Sequence, residues 1–172
     1  HLRTGFRKAA ERQIGLNMKL SFLKTRTANQ LKKNKAVRKS TAYKQAETIG
    51  ILFSVEDKKK HDEVKEFIHK LQQDGKKVQV LEFLPEKKEN PEFMFDFFTV
   101  KDISFWGQIE SAKTLKFSDT SFDYLFCLDT KLNPMISYIL ARSKSKCRVG
   151  KFGENVKAFF EFMIDSNGST KS

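Results

Sequence analysis

The chain has 172 residues and a formal net charge of +12, from 33 Lys and Arg against 21 Asp and Glu. This length allows one compact domain and an additional segment. No apolar run reaches the roughly 18–20 residues that cross a bilayer, and the two cysteines lack paired spacing, so the composition argues against membrane-spanning and disulfide-stapled classes and predicts a cytoplasmic protein.

The net charge lies entirely in the first quarter of the chain. Residues 1–46 contain 13 Lys and Arg and a single acid, Glu11, whereas residues 47–172 contain 20 residues of each sign. We therefore divide the chain into a basic N-terminal arm, residues 1–46, and a neutral domain, residues 47–172. A strongly basic arm attracts polyanions, which favours RNA as the partner and an anionic membrane surface as the alternative.

The first half of the arm predicts a helix. Apolar residues recur every four positions along one stripe: Leu2, Phe6, Ala10, Ile14, Met18 and Phe22. Gly5 and Gly15 weaken an isolated helix, so we expect it to be firm only when docked on the domain or on a partner. Because apolar and basic faces together also describe interfacial helices, the membrane alternative rests on this same stripe.

From residue 24 to residue 44 the basic residues are set among Thr, Asn, Gln and Ser, with few large apolar side chains. This composition predicts a stretch that is solvated or ordered by binding phosphates. The candidate RNA-binding residues of the whole arm are Arg3, Arg7, Lys8, Arg12, Lys19, Lys24, Arg26, Lys32, Lys33, Lys35, Arg38, Lys39 and Lys44. A basic helix packed on its own domain is a third interpretation of the arm.

The domain begins with a predicted βαβ unit. Residues 48–55 form a continuous apolar run, typical of a strand buried on both faces. Asp57 can cap a helix over residues 58–73, and Gly75 suits the position after its end. Residues 78–84 read as the returning strand, so a right-handed crossover in a parallel sheet is expected.

The middle of the chain is rich in phenylalanine. We interpret residues 93–98 as a cover over the sheet. Residues 102–107 include the only tryptophan, Trp106, and are predicted to form a loop plugged into the core, with a ligand pocket as the alternative.

A second unit follows, with a strand over residues 124–128, a helix beginning at Asn133 and Pro134, and a strand over residues 146–152. The buried face of this helix is predicted to be Met135, Ile136, Ile139 and Leu140. Residues 159–164 favour one more strand over a short helix. The predicted fold is a three-layer α/β domain with a mostly parallel sheet of four to six strands, a Rossmann-like half preceded by the basic helical arm.

No catalytic constellation is recognisable in the sequence. The loop after the first strand lacks a glycine-rich phosphate motif, and His61 and His69 are two helical turns apart rather than one. We therefore expect a non-catalytic protein with no cofactor and no metal site. Asp129, at the end of a strand, is the best-placed single carboxylate, and with Trp106 it marks the possible pocket. A smaller basic cluster could extend the electropositive surface of the arm: Arg142, Lys144, Lys146 and Arg148.

Residues 48–67, 95–109 and 122–152 together resemble a small uncharacterised family of Bacteroidota proteins, a domain of unknown function. The succession Phe-Phe-Thr, Lys-Asp, Phe-Trp-Gly within residues 97–107 is its most specific part. The resemblance implies a cytoplasmic bacterial protein without an established activity. Residues 129–150 are also similar to the first domain of heptosyltransferase-like glycosyltransferases, which implies a degenerate transferase as a further alternative.

These observations predict a non-catalytic RNA-binding protein that associates with ribosomal particles, or another ribonucleoprotein, through its basic arm. The alternative is a peripheral membrane protein or a membrane-complex subunit held by the same arm. A protein partner for the neutral domain is compatible with either function.

Overall fold

In the computed structural model, which describes residues 2–90, 92 and 94–165, six strands form one sheet between helices. The helices are α1 (Leu2–Lys33), α2 (Lys58–Gln73), α3 (Ala112–Asp119) and α4 (Pro134–Arg142). The strands are β1 (Thr48–Ser54), β2 (Lys77–Phe83), β3 (Asp96–Phe98), β4 (Tyr124–Cys127), β5 (Cys147–Lys151) and β6 (Phe162–Ile164).

All pairings between these strands are parallel, in the order β3-β2-β1-β4-β5-β6. This is the strand order of a doubly wound sheet, in which the chain leaves β1 in both directions. The predicted α/β fold with a preceding helix is confirmed.

One face of the sheet is covered by α2, whose limits agree with the prediction. The Asp57 side chain accepts a hydrogen bond of 2.8 Å from the Lys60 amide at the start of the helix, and Gly75 follows its end with a φ of 77°. Val64, Ile68 and Leu71 pack from α2 onto the side chains of β1. Local signals therefore mark both ends of this helix.

The opposite face carries the larger core, built by α1, α3 and α4. Asn133 caps α4 through hydrogen bonds of 3.0 Å from the amides of Met135 and Ile136. The predicted inner face of α4 is confirmed, since Met135, Ile136, Ile139 and Leu140 are all buried. Cys127 and Cys147 are buried free thiols, and burial raises the pKa of Cys127 to about 12.

α1 runs unbroken through Lys33 and does not dock through the predicted stripe. Leu23 is fully buried in the larger core and Thr27 is buried beside it, whereas Ile14 and Met18 are 60% and 44% exposed. The face of α1 that packs on α4 is thus rotated from the predicted stripe, and Leu23 lies at its centre. Residues 24–33 are helical and dock on the domain through Arg26 and Thr27, although most of their other side chains are exposed.

The phenylalanine-rich segment is an edge strand and not a cover. Phe98 is fully buried in β3, which pairs with β2, while Phe93 lies outside the described residues. The loop at residues 102–107 does enter the core, through the buried side chain of Ile103, whereas Trp106 is 61% exposed. Helix α3 follows this loop and was not expected from the sequence.

Residues 159–164 divide between two elements. A 3-10 helix at Glu154–Phe159 precedes β6, so the predicted strand is shorter than expected.

Beside α2, an apolar trough of about 530 Å³ lies over β4, β5 and β6, with Tyr124, Phe126 and Phe162 among its lining residues. None of the described helices is both long and apolar enough to cross a membrane.

Candidate nucleic-acid interface

The C-terminal end of α1 is fastened to the C-terminal end of α4. The Asn34 side chain donates two hydrogen bonds of 2.9 Å, to the carbonyl oxygens of Ala141 and Ser143. Its carboxamide oxygen accepts a bond of 3.0 Å from the Ala36 amide, which turns the chain as the helix ends. Two segments more than 100 residues apart in sequence therefore share one surface.

Basic side chains from both segments surround one depression of about 490 Å³, which we call the basic depression. Its lining residues are Gln30, Lys33, Asn34, Lys35, Ala36, Asp119, Arg142 and Lys144. Lys33 and Lys35 come from the arm, while Arg142 and Lys144 come from the smaller basic cluster. The packing of α1 on α4 thus joins two predicted sets of candidate residues.

One carboxylate opposes these four cations. Asp119 lies 3.2 Å from the Arg142 guanidinium and 3.4 Å from the Lys144 ammonium. Lys33 and Lys35 form no ion pair within the described part of the chain and are exposed. The basic depression therefore keeps an excess of positive charge, which a polyanion can neutralise.

Part of this charge also serves the helices themselves. Lys32 and Lys33 lie in the last turn of α1, and Arg142 lies in the last turn of α4. Cations at these positions offset the partial negative charge of helix C-termini, and each such contact contributes roughly 0.3–1 kcal/mol. Lys35 and Lys144 lie beyond the helix ends, so stabilisation of a helix terminus does not explain their presence.

The remaining cations of the arm fall into two groups. Exposed side chains that face solvent belong to Arg7, Lys8, Arg12, Lys24, Lys32, Lys39 and Lys44. The side chain of Arg3 lies outside the described residues. Arg7 shares its charge with Glu11, which lies 3.1 Å away. These exposed cations lie along α1 and in the segment that follows it. In the sequence they stand both before and after the arm residues that line the basic depression.

The second group anchors the arm to the domain. Lys19 donates to the carbonyl of Ile103 at 3.2 Å, and Arg26 donates to the carbonyl of Trp106 at 2.7 Å. Arg38 donates to the carbonyls of Ser143 and Ser145, and its pKa is lowered by burial and by the neighbouring Arg148. These three side chains are half-buried, which leaves them less free for an external anion.

Two members of the smaller basic cluster are likewise engaged. Arg148 is buried and forms a salt bridge of 2.5 Å with Glu161, so it contributes no exposed charge. Lys146 lies 2.8 Å from Asp123. Of the four candidates in this cluster, the structure brings only Arg142 and Lys144 to the basic depression.

The predicted pocket residues have different neighbours. Asp129 is buried at the carboxyl end of β4, where it accepts bonds from the Ser54 amide at 2.8 Å and from Lys60 at 2.8 Å. Asn133 donates to the Ser54 hydroxyl at 2.8 Å, so a polar network lies where doubly wound sheets bind ligands. Trp106 instead packs against Phe22 of α1, with ring centroids 5.6 Å apart.

Sequence reasoning missed the residues that shape the basic depression without contributing cations. Asn34 directly follows the basic end of α1, and an asparagine at such a position is a signal for a helix end. Nothing in the sequence pairs Asp119 with Arg142, because that contact depends on how α3 packs beside α4.

A family model described as "Family of unknown function (DUF6913)" matches residues 19–171. No curated protein and no solved structure matches the chain. The expectation of an uncharacterised family is thereby confirmed. The chain belongs to the DUF6913 family.

Proposed function

We propose that this DUF6913 protein binds RNA without catalysing a reaction on it, through the basic depression and the exposed face of α1. The observation that carries the proposal is the meeting of Lys33 and Lys35 with Arg142 and Lys144 around one depression. A single basic helix is common on protein surfaces. Here two basic segments, at the ends of α1 and α4, are held together by packing and form one positively charged surface.

Phosphate contacts are the chemistry that this surface supports. Lysine and arginine neutralise phosphates regardless of sequence, and their release of counterions makes affinity fall steeply with salt. An aromatic stacking platform is not part of the basic depression, whose lining residues are polar or aliphatic. We therefore propose recognition of the backbone of structured RNA, with a ribosomal particle as the context in the cell.

The test compares two variants that lose the same charge. Lys33→Gln/Lys35→Gln/Lys144→Gln removes three cations of the basic depression, whereas Lys59→Gln/Lys70→Gln/Lys77→Gln removes three exposed cations on or next to α2. Affinity for a fluorescent RNA hairpin is measured by anisotropy over a range of salt. For the unmodified protein, log Kd against log salt should have a slope of about 4 or more.

The first variant should bind at least tenfold more weakly, and its salt dependence should be about two units less steep, because three phosphate contacts are lost. The second variant should resemble the unmodified protein. Equal losses in both variants would show that net charge alone drives association and would overturn the proposed site. Cosedimentation with ribosomal particles at low but not at high salt tests the cellular context.

An anionic membrane surface is the second candidate, and a specific observation favours it. Ile14, Met18 and Phe22 form an exposed apolar line on α1, and Phe105 and Trp106 continue it on the domain. Basic side chains on the same helix make this surface compatible with lipid headgroups. Flotation with vesicles that contain phosphatidylserine distinguishes the two functions, since the charge-neutral change Ile14→Gln/Met18→Gln should abolish lipid binding and spare the RNA contact.

We do not propose a transferase role for Asp129. Its oxygens already accept bonds from Ser54 and Lys60, and the exposed fraction of its side chain is 2%. These contacts fasten β1 to the loop after β4, and a substrate would have to displace them.

A further inference from the structure

The ring of His61 is buried on α2, beside Glu82 of β2 and Phe95 of the loop before β3. The residue is 1% exposed and packs against Phe95, with ring centroids 5.3 Å apart. Neither ring nitrogen has a hydrogen-bond partner among the described residues. Because buried polar atoms are nearly always paired, the two free nitrogens call for a ligand.

One of these nitrogens faces a buried carboxylate. Glu82 is fully buried in β2, and its Oε2, which also has no hydrogen-bond partner in the described part of the chain, lies 3.8 Å from Nε2 of His61. Asn90 donates to the other oxygen of Glu82. The distance of 3.8 Å to His61 is too long for a hydrogen bond.

Two further carboxylates approach the same histidine. One ligand atom from each of His61, Asp62 and Glu92 lies within 4.8 Å of the others. Asp62 is the next residue of α2, while Glu92 comes from the loop between β2 and β3. Two acidic side chains alone would not define a site, but the ring nitrogens of the buried histidine beside them have no hydrogen-bond partner among the described residues, and this second observation points to a bound ion.

Two lysine ammonium groups already lie close to these carboxylates. The Lys65 ammonium lies 2.8 Å from Glu92 and 3.9 Å from Asp62, and Lys58 lies 2.9 Å from Asp62. A metal ion at this site would therefore compete with the Lys65 ammonium for the two carboxylates.

We propose that His61, Asp62 and Glu92 bind a divalent first-row transition-metal ion, with Glu82 orienting the His61 ring from behind. One imidazole nitrogen and two carboxylates form a three-ligand set that suits ions such as Zn²⁺, with water completing the coordination. A metal-bound histidine usually donates its other N–H to a carboxylate, the role that Glu82 is placed to take. The ion would fasten the loop between β2 and β3 to α2.

Titration calorimetry and thermal unfolding with ZnCl₂ test this site in the full-length chain, after removal of metal with a chelator. Zn²⁺ should bind with a stoichiometry of one and raise the melting temperature, while MgCl₂ at the same concentration should not. The variant that removes a proposed ligand is Glu92→Gln. The Glu92 side chain is only partly buried, so its replacement should leave the fold intact. The matched control is Glu63→Gln, an exposed acid on α2 whose partner is Lys59.

Glu92→Gln should weaken Zn²⁺ binding at least tenfold, and Glu63→Gln should leave it unchanged. Lys65→Met should strengthen binding, because it removes the competing ammonium. Absence of Zn²⁺ binding to the unmodified protein, equal binding by the unmodified protein and Glu92→Gln, or weaker binding by Lys65→Met would each overturn the proposal. Addition of paramagnetic Co²⁺ should broaden the imidazole NMR signals of His61 before those of His69, and the reverse order would also count against it.

Discussion

At the scale of single residues, Gly150 shows how closely the chain is packed at the far edge of the sheet. The glycine lies in β5, and the ring of Phe160 rests directly upon it. A Cβ atom at this position would lie 2.3 Å from Cζ of Phe160, far inside van der Waals contact. Any side chain here would push the ring, and with it the chain leading into β6, away from the sheet.

We predict that Gly150→Ala lowers the free energy of unfolding by about 1–3 kcal/mol, because overpacking forces the ring and the backbone apart. Gly15→Ala is the matched control. No atom lies within 4 Å of a Cβ at Gly15, and alanine should favour the helix there by up to about 1 kcal/mol. Urea denaturation of both variants measures the difference. Unchanged stability of Gly150→Ala would mean that Phe160 is not seated on β5 in solution.

At the scale of elements, one carboxylate holds the beginnings of three neighbouring strands. Asp123 precedes β4 and accepts bonds of 2.9 and 3.0 Å from the amides of Glu47 and Thr48 at the start of β1. Its other oxygen accepts a bond of 2.8 Å from Lys146, just before β5. Burial opposes ionisation, but these hydrogen bonds prevail and hold the pKa of Asp123 below its usual value.

We predict that Asp123→Asn destabilises the fold by about 2 kcal/mol at pH 7, since bonds to a charged acceptor are lost. A lowered native pKa means that the ionised group stabilises the fold above its unfolded pKa of about 4, and that this contribution fades as the pH falls below it. Urea unfolding at pH 7 and pH 3 should therefore show a gap between the two proteins that narrows in acid. Glu63→Gln, an exposed acid on α2, should change stability by less than about 0.5 kcal/mol. A gap that stays constant with pH would contradict the assignment of the effect to ionised Asp123.

Elements that carry their own boundary signals were predictable from sequence. The limits of α2 follow from a capping Asp57 and a terminal Gly75, and the start of α4 follows from Asn133 and Pro134. β3 was not, because its state depends on tertiary pairing, and α3 was missed although Ser111 caps its first turn. A three-residue edge strand is too short to show an alternating apolar pattern, and Phe98 is extended because it pairs with β2. The orientation of α1 was also missed, since two faces of that helix carry apolar side chains and only packing selects one.

The same distinction applies to the candidate site. The cations of the basic depression were all identified from composition, and Lys33 and Arg142 needed no structure to be singled out. Their meeting could not be predicted, because it requires the contact between Asn34 and the end of α4. Likewise, no spacing rule relates His61 to Glu92, which a loop brings to α2 from 31 residues further along the chain.

At the scale of the whole molecule, the charge asymmetry and the packing divide the chain at different places. The net charge changes after residue 46, whereas burial on α1 begins near residue 20. Residues 7–14 are exposed on every side of the helix, and the family model begins only at residue 19. The second half of α1 is thus part of the packed domain, although its charge belongs with the arm.

Two truncations distinguish these boundaries. Removal of residues 1–18 should change the free energy of unfolding by less than about 1 kcal/mol, because residues 7–14 are exposed on every side of α1. Removal of residues 1–33 should cost at least about 3 kcal/mol, since loss of a buried leucine such as Leu23 alone costs about 2–5 kcal/mol. Urea denaturation followed by far-ultraviolet circular dichroism measures both. If the two truncated proteins were equally stable, α1 would be an appendage along its whole length, and the domain would begin where the charge changes. A large loss from the shorter truncation would instead place this part of α1 within the folded domain, which the exposure of residues 7–14 gives no reason to expect.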